Sequence, residues 1–509
     1  MADALSIIGT VLLLVTETVL SSKARNVLIL LADDAGFEIG AYENKICQTP
    51  NIDELARRSV IFNYAFTSVS SCSPSRAALL TGTPSHQNGM YGLHHGVHHF
   101  NSFDNISSVP NVLRDHGVFT GIIGKKHVGP DSVYRFDFEQ TEENNHINQV
   151  GRNITHIKLL VRQFLQQANQ QNKSFFLYVA FHDPHRCGHY EPQFGAFCER
   201  FGSGEPGMGR IPDWQPWYYQ WQQVQLPYHV QDTEPARRDV AAQYTTMSRL
   251  DQGVGLVLRE LEAAGRAGDT LVAFSSDNGI PFPSGRTNLY EAGLRVPLLL
   301  ASPEAGARRG QVSAALVSLL DLAPTVLEWL GVASPSLELD NEVFRPDTPR
   351  SLLSILEKEP PLSEDEAVFA SQTHHEVTMY YPMRAVRTRR YKLIHNLNYG
   401  MPFPIDQDLY VSPTFQDILN RTRNKQPLPW YKTLGQYYYR PEWELFDLRR
   451  DPAETVNLHG KPALRQREAA LAARLRRWQR ASRDPWLCAP DGVLLPGARC
   501  GSLLPDALH

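Results

Sequence analysis

Four short apolar runs, each ending abruptly in polar side chains, constrain the fold of this chain more than any other feature. The runs are Arg25–Ala32, Gly117–Gly124, Ser174–Phe181 and Asp269–Ser276. A continuous apolar run of this length is typical of a strand buried on both faces of a sheet. Amphipathic helices are predicted between these runs at Asn51–Arg58, Asn111–His116, Ile157–Gln170 and Ala236–Ala264. Strands that alternate with helices indicate an α/β fold with a mostly parallel, mixed sheet flanked by helices.

The polar residues that follow these runs are expected to meet at one edge of the sheet, because ligands of such sheets bind beyond the carboxyl ends of the strands. Carboxylate and amide oxygens suit Ca²⁺ or Mg²⁺ rather than zinc. The sequence therefore predicts a metal site from two strand ends, with the ligands Asp33, Asp34, Asp277 and Asn278. The competing interpretation of an Asp-Asp pair is a solvated turn.

The run Cys72-Ser73-Pro74-Ser75-Arg76 reads as the start of a helix. Proline favours the first helical turn, and the residues Ala77–Leu80 favour helix. Cys72 and Arg76 would then lie on one face, beside the free N–H groups that attract anions at a helix start. For so short a motif alone, a buried cysteine near a helix start is the plainer interpretation.

Further cations follow the other strand ends. Lys125 and His127 come after the second run, His185 after the third, and Arg286 after the fourth. They are predicted to surround a bound anion, which the Arg286 guanidinium can hold with two hydrogen bonds. A cluster of His94, His95, His98 and His99 lacks the spacing of a zinc site, so we expect a pocket rim or a loop there.

Cysteine usage indicates an oxidising compartment. Cys187 and Cys198 can close one small loop, and Cys488 and Cys500 another. Cys47 and Cys72 remain. They either form a disulfide with each other or, if Cys72 is chemically modified, leave Cys47 as a free thiol.

Export is also indicated by the N-terminus and by glycosylation motifs. Residues 1–22 read as a secretory signal peptide, and no later segment is apolar enough to cross a membrane. Four Asn-x-Ser/Thr acceptors are present, at Asn105, Asn153, Asn172 and Asn420. The net charge of −4 and the lack of a long basic run exclude a nucleic-acid partner.

The C-terminal part has a different character. Hairpin strands are predicted at Ala385–Thr388 and Arg390–Ile394, a further strand at Trp443–Leu448 and a basic helix at Pro462–Arg483. We therefore predict a large catalytic domain at 23–366 and a smaller α+β domain with an antiparallel sheet at 367–509. Before the boundary, Val317–Thr325 is predicted to begin a helix, and Ser334–Asp347 to be a connector.

The motifs, taken in order, resemble the landmarks of the sulfatase family, which belongs to the alkaline-phosphatase-like superfamily. The landmarks are Leu31–Asp34, Cys72–Arg76, Gly124–His127, Ser276–Gly279, Gly293–Pro297 and Glu444–Leu448. The resemblance implies that Cys72 is converted to formylglycine by the formylglycine-generating enzyme. It also implies Ca²⁺ held by the four oxygen ligands above, with Cys72 near the ion.

The resemblance assigns roles to the cations. Arg76, Lys125 and His127 are implied to position formylglycine and sulfate, while His185 faces the leaving group and acts as a general acid. Asp183, His185 and Arg286 are implied to bind the substrate. A histidine with an ordinary pKa would be largely protonated in a mildly acidic compartment.

Four further stretches resemble the sulfamidase branch, which hydrolyses the N-sulfate of glucosamine at the non-reducing end of heparan sulfate. They are Phe181–Gly188, Gly279–Asn288, His374–Met379 and Met401–Asp408. Arg286 favours this branch, whereas Gly293–Pro297 looks more like general sulfatases. The implied location is the lysosome, with secretion as the alternative, and a homodimer is suggested. The alternatives are an O-sulfatase or phosphodiesterase of the same superfamily, and a catalytically dead secreted glycan-binding protein.

Overall fold

A computed structural model describes residues 25–188, 193–333, 348–497 and 499–503. The predicted signal peptide at 1–22 and the predicted connector at 334–347 lie outside the described residues. Among the residues that are described, no helix has the length and apolar character needed to cross a membrane.

An eight-stranded sheet forms the centre of the fold. Its strand order is β4-β3-β5-β1-β6-β7-β2-β8. All neighbours run parallel except the two pairs that involve β7. The strands are β1 Asn26–Asp33, β2 Val60–Phe66, β3 Phe119–Gly124, β4 Phe138–Thr141, β5 Phe175–Pro184, β6 Thr270–Ser276, β7 Arg295–Ala301 and β8 Gln311–Ser318. The predicted mostly parallel, mixed sheet is confirmed.

Among the described residues, ten α-helices cover this sheet or follow its strands. They are α1 Pro50–Arg57, α2 Cys72–Thr81, α3 Ser85–Asn88, α4 Val109–Asp115, α5 Ile147–Val150, α6 Ile154–Gln170, α7 Glu234–Ala263, α8 Glu291–Leu294, α9 Leu322–Trp329 and α10 Leu353–Glu357. Each of the four helices predicted between the apolar runs is present, with ends shifted by at most three residues.

Strand β1 shows why its residues are apolar throughout. Leu28, Leu30 and Ala32 point to the layer that contains α1, α6 and α7. The alternate residues, from Val27 to Leu31, pack on the layer of α2, α4 and α9. A strand covered on both faces has no solvent side, so polar residues occur only where it ends.

The C-terminal part forms a four-stranded antiparallel sheet of order β12-β11-β10-β9. Its strands are β9 Ala367–Gln372, β10 Met383–Thr388, β11 Tyr391–Asn396 and β12 Trp443–Asp447. The remaining elements are α11 Gln407–Tyr410, α12 Pro413–Arg423, α13 Leu434–Tyr438, α14 Arg465–Ala481 and the hairpin of β13 Gly492–Leu495 with β14 Arg499–Ser502. The predicted antiparallel sheet is confirmed, while the domain boundary at 366/367 stays a prediction.

One sequence interpretation was wrong. Residues 317 and 318 end strand β8 instead of starting a helix, and α9 begins only at Leu322. Ser318 accepts a hydrogen bond from the Leu320 N–H, and Asp321 accepts one from the Ser318 N–H. This capping box stops the strand and starts a short 3₁₀ turn before the helix.

The cysteines and glycosylation motifs have clear positions. Cys187 forms a disulfide with Cys198, and Cys488 forms one with Cys500. Cys47 and Cys72 are buried free thiols, so the alternative in which they pair is not present.

Of the acceptor asparagines, Asn153 is half-buried and caps α6, whereas the other three are exposed, namely Asn105, Asn172 and Asn420.

A buried ion pair ties β10 to the chain after α14. Arg384 donates to both carboxylate oxygens of Asp484 at 2.6 and 2.8 Å, and neither side chain is exposed to solvent. Gln479 and the Trp486 N–H also donate to this carboxylate. Removing one partner of such a pair leaves an uncompensated buried charge.

We expect Asp484→Asn to lower the free energy of unfolding by about 3 kcal/mol, because it leaves the Arg384 guanidinium buried without its counter-charge. Chemical denaturation of the full chain measures this. Glu364→Gln is the matched control, since Glu364 pairs with Arg449 at 3.4 Å on an exposed surface, and its effect should stay within about 0.5 kcal/mol. Equal losses in the two variants would contradict the prediction.

Candidate active site

Cys72 is the first residue of α2 and is 1% exposed. It lies at the base of a cavity of about 280 Å³. Ser71 precedes the helix in an extended conformation, and Gly82 ends it with a φ of +67°. The side chains that share this cavity with Cys72 include Lys125, His127, His182, His185, Arg286, His375 and Asp408.

Arg76 lies one helical turn after Cys72 and is fully buried. Its Nε and Nη2 donate to Asp277 Oδ2 at 3.0 and 2.8 Å, and its Nη1 donates to the Lys125 carbonyl at 3.0 Å. Lys125 Nζ in turn donates to Asp33 Oδ2 at 2.5 Å. The helix start, β1, β3 and β6 are therefore joined by buried charges.

The predicted metal ligands meet because β1 and β6 are neighbours. Asn278 Nδ2 donates to Asp34 Oδ1 at 2.6 Å, and Asp277 Oδ1 accepts from the Asp34 N–H at 3.1 Å. Ligand atoms of Asp33, Asp34, Cys72 and His185 all lie within 4.8 Å of one another. Sequence analysis did not place His185 in this group.

The residues fit a hard divalent cation. Asn278 Oδ1 is buried and lacks a hydrogen-bond partner among the described residues, as an oxygen that faces a cation does, whereas Asp33 Oδ1 lies 3.1 Å from Arg76 Nη2 in a buried ion pair. Burial raises the pKa of both Asp34 and Asp277 to about 7, against the opposing effects of Arg286 and Arg76. Burial also acts on Asp33, but Lys125, His185 and Arg76 outweigh it and lower its pKa.

Arg286 contacts both the end of β1 and the C-terminal part of the chain. Its Nη1 donates to Asp34 Oδ2 at 2.6 Å, and its Nε and Nη2 donate to Asp406 Oδ2 at 3.2 and 3.0 Å. Nη2 also donates to Asp408 Oδ1. Sequence analysis did not identify either C-terminal aspartate. The one sequence signal for these two aspartates was that both lie in the stretch Met401–Asp408, which resembles the sulfamidase branch. No spacing rule connects them with Arg286, which lies about 120 positions away in the sequence.

His185 is oriented by two hydrogen bonds. Its Nδ1 donates to the Arg186 carbonyl at 2.7 Å, so the neutral ring accepts through Nε2 from Arg286 Nη1 at 2.9 Å. Burial lowers the pKa of His185 to about 3, and Lys125 and Arg286 add to the effect. The expectation that His185 is largely protonated in a mildly acidic compartment stays a prediction, and burial beside these two cations opposes it.

His127 contacts the histidine cluster. Its Nε2 hydrogen-bonds with His95 Nδ1, and its backbone N–H donates to Glu143 Oε1 at 3.1 Å. Burial and the neighbouring Lys125 hold the pKa of His127 well below its usual range. His95 and His98 line the cavity, as expected for a pocket rim.

Asp183 lies beneath the cavity rather than on its wall. Arg249 donates to both carboxylate oxygens at 2.6 and 2.8 Å, and Arg152 donates to Oδ1. Asp183 is 1% exposed and is not among the side chains that line the cavity. Its role in substrate binding stays a prediction, and these contacts favour a role in holding the end of β5.

Comparison with known proteins shows the family to which the chain belongs. The Sulfatase family model matches residues 25–332. The chain belongs to the sulfatase family. The model described as N-sulphoglucosamine sulphohydrolase, C-terminal, matches residues 285–410. The Homo sapiens protein named N-sulphoglucosamine sulphohydrolase is 62% identical over 473 residues, which are 93% of each chain. Homo sapiens iduronate 2-sulfatase is 25% identical and is matched over 63% of this chain and 71% of its own.

Two solved structures share the fold. A protein solved with its substrate D-glucosamine-2-N,6-O-disulfate aligns with a TM-score of 0.63 at 20% identity, over 91% of this chain and 99% of its own. The phosphonate monoester hydrolase of Agrobacterium radiobacter aligns with a TM-score of 0.59 at 17% identity, over 94% of this chain and all of its own. At these identities the likeness concerns the fold.

We expect added Ca²⁺ to raise the thermal unfolding midpoint of the protein, because a cation that binds the folded state alone stabilises it by about 2.7 kcal/mol at about 100 times its Kd. Asp34→Asn should lose most of the rise, measured against its own calcium-free midpoint. Glu364→Gln, remote and exposed, should keep it. An equal rise in Asp34→Asn and the unsubstituted protein would contradict the assignment.

Proposed function

We propose that this chain hydrolyses the N-sulfate group of glucosamine at the non-reducing end of heparan sulfate. The observation that carries the proposal is the cavity in which Cys72 lies within 4.8 Å of ligand atoms of Asp33, Asp34 and His185. The relative at 62% identity, whose name describes hydrolysis of N-sulphoglucosamine, supports the choice of substrate. The match to the C-terminal family of that enzyme, at residues 285–410, supports it further.

Two groups complete the proposed site. Cys72 Sγ stands where an oxygen of formylglycine would lie, and Asp33, Asp34, Asp277 and Asn278 would hold Ca²⁺. The hydrated aldehyde supplies two hydroxyls, one to attack sulfur and one to expel sulfate, while the cation stabilises charge on sulfuryl oxygens. Burial raises the pKa of the Cys72 thiol well above its usual range, which disfavours the thiolate as the nucleophile.

The cations of the chain bind and orient the sulfuryl group in this proposal. Lys125 reaches the cavity with its ammonium fixed on Asp33, so little ordering is needed when an anion arrives. Arg76 is fully buried and bonded to Asp277, so it acts by fixing the metal ligands and the helix start. Arg286 donates hydrogen bonds to Asp34, a proposed metal ligand, and to Asp408 in the cavity wall. Its guanidinium would therefore lie between the bound cation and the leaving group of the substrate.

His185 is the proposed general acid. The leaving nitrogen is a poor leaving group until it is protonated. In the arrangement described above Nε2 accepts a hydrogen bond from Arg286, so it must gain a proton before it can donate one. The negative charge of the bound substrate favours that protonation, because it offsets the neighbouring Lys125 and Arg286.

Activity on a sulfate ester or a phosphodiester is the second candidate. The same cavity, metal ligands and cations serve either reaction, and the family includes iduronate 2-sulfatase at 25% identity. A catalytically dead glycan-binding protein is the third candidate. It is disfavoured because no disulfide blocks Cys72, which shares its cavity with Lys125, His185 and Arg286.

The proposed biology follows from the substrate. Conversion of Cys72 requires the formylglycine-generating enzyme in the secretory pathway, and the two disulfides agree with that route. Degradation of heparan sulfate places the enzyme in the lysosome, with secretion as the alternative. A homodimer remains part of the proposal.

We expect protein made in a secretory host to carry formylglycine at position 72 and to release sulfate from glucosamine N-sulfate. The mass of the tryptic peptide with Cys72 and an assay of free sulfate measure the two properties. Cys72→Ser should bind sulfate covalently without turnover, because a serine ester lacks the second hydroxyl, and Cys72→Ala should do neither. Release from O-sulfated glucosamine but not from the N-sulfate would favour the second candidate.

We expect His185→Ala to slow hydrolysis of glucosamine N-sulfate by about 10² to 10⁴, the range for loss of a general acid. Hydrolysis of 4-nitrophenyl sulfate should slow much less, because its leaving group needs no proton. His116→Ala, on the exposed surface after α4, is the control and should leave both rates unchanged. Equal losses on the two substrates would remove His185 from the role of acid.

A further inference from the structure

Asp408 belongs to the cavity wall and has one carboxylate oxygen without a hydrogen-bond partner among the described residues. Its Oδ1 accepts from Arg286 Nη2, whereas its Oδ2 is buried and has no hydrogen-bond partner among the described residues. The residue is 8% exposed and lines the cavity that contains Cys72. A buried acceptor without a partner carries a cost of desolvation, so such an oxygen in a cavity wall marks a place for a donor.

The backbone fixes this oxygen in place. Asp408 lies in α11, where the Asp406 side chain accepts from the Leu409 N–H at 3.1 Å and caps the helix. Arg286 holds the other oxygen of Asp408. Oδ2 is therefore the carboxylate oxygen whose hydrogen-bonding capacity is unused.

The position of Oδ2 corresponds to the leaving group. It lies 4.0 Å from His185 Nε2, which itself lies 3.6 Å from Asp34 Oδ2. The Cys72 sulfur is within 4.8 Å of a ring nitrogen of His185. A sulfuryl group attacked from position 72 therefore has its leaving atom near both His185 and Asp408.

We propose that Asp408 is a specificity residue that selects an amine leaving group, through a hydrogen bond from the N–H of the sulfamate to Oδ2. The proposal rests on the proposed function of the site. A sulfamate nitrogen carries a hydrogen that Oδ2 can accept, whereas the bridging oxygen of a sulfate ester carries none and would face the carboxylate with its lone pairs. The same carboxylate therefore attracts one substrate class and disfavours the other.

The reaction strengthens this contact. Attack on sulfur by a hydroxyl at position 72, whose proton passes to water, would send the electron pair of the S–N bond to nitrogen, which takes a proton from the protonated form of His185. The amine product takes up a further proton from water and becomes an ammonium ion. A carboxylate beside it forms a charge-assisted hydrogen bond, which is stronger than a neutral one.

Asp406 is the matched control. It also accepts from Arg286, but its Oδ2 is used in that contact and its Oδ1 caps α11. It is not among the side chains that line the cavity. Asp406→Asn therefore weakens the contact with Arg286 and changes the side-chain contact between Asp406 and Asp408, but it leaves the Asp408 carboxylate charged, whereas Asp408→Asn removes that charge.

The test compares Asp408→Asn and Asp406→Asn with the unsubstituted enzyme. It measures kcat/KM for glucosamine N-sulfate and for 4-nitrocatechol sulfate, and binding of glucosamine and glucose by ligand-observed NMR. Asp408→Asn should lower the ratio of N-sulfate to ester activity by about tenfold to a hundredfold, the range for a hydrogen bond to a charged group. It should also weaken glucosamine binding relative to glucose. Asp406→Asn should lower the two activities by the same factor and so leave their ratio unchanged.

The outcomes separate the two proposals. If the unsubstituted enzyme releases no sulfate from glucosamine N-sulfate, the proposed function fails, and the glucosamine measurement still tests Asp408. If it does release sulfate and Asp408→Asn matches Asp406→Asn in ratio and in glucosamine binding, the role of Asp408 is overturned and the function stands. Where ester turnover is too slow to measure, the glucosamine comparison decides, and thermal midpoints show that both variants fold.

Discussion

The buried ion pairs at the carboxyl ends of β3, β1 and β6 are the interaction on which the site depends. Lys125 is fixed on Asp33, Arg76 joins Asp277 to the Lys125 backbone, and each lies on a different element. Buried pairs of this kind add little net stability but make the loss of one partner costly. The strand ends are therefore held in register with the start of α2, which fixes the side chain at position 72.

The charges of this cluster do not balance by themselves. Asp33, Asp34, Asp277, Asp406 and Asp408 are five buried carboxylates that share the three cations Arg76, Lys125 and Arg286. With all of them ionised, two negative charges are left over. A divalent cation supplies that amount of positive charge, and Asn278 Oδ1, a buried oxygen that lacks a hydrogen-bond partner among the described residues, is suited to bind it.

The sequence predicted those site residues that directly follow a recognisable strand. Apolar runs ending in Asp33 or Asp277 are visible because strands buried on both faces tolerate no earlier polar residue. The end of strand β8 was predicted as the start of a helix, because the strand and the following turn share one leucine-rich stretch. The strand ends at the capping box of Ser318, which the residue pattern did not reveal. Asp408 was missed because its contact with Arg286 depends on how the second sheet docks, which no local pattern records. The hydrogen bond between Arg286 and His185 was missed for a similar reason, since the two residues lie far apart in the sequence and meet only in the folded chain.

The 1% exposure of Cys72 has a consequence for how the protein is made. A modifying enzyme must surround its target side chain, and the packed start of α2 offers no such access. The proposed oxidation therefore belongs to the interval between translocation of this segment and closure of the sheet around it. Substitutions far from the cavity that hasten early folding would then lower the fraction of active molecules while leaving the final structure intact.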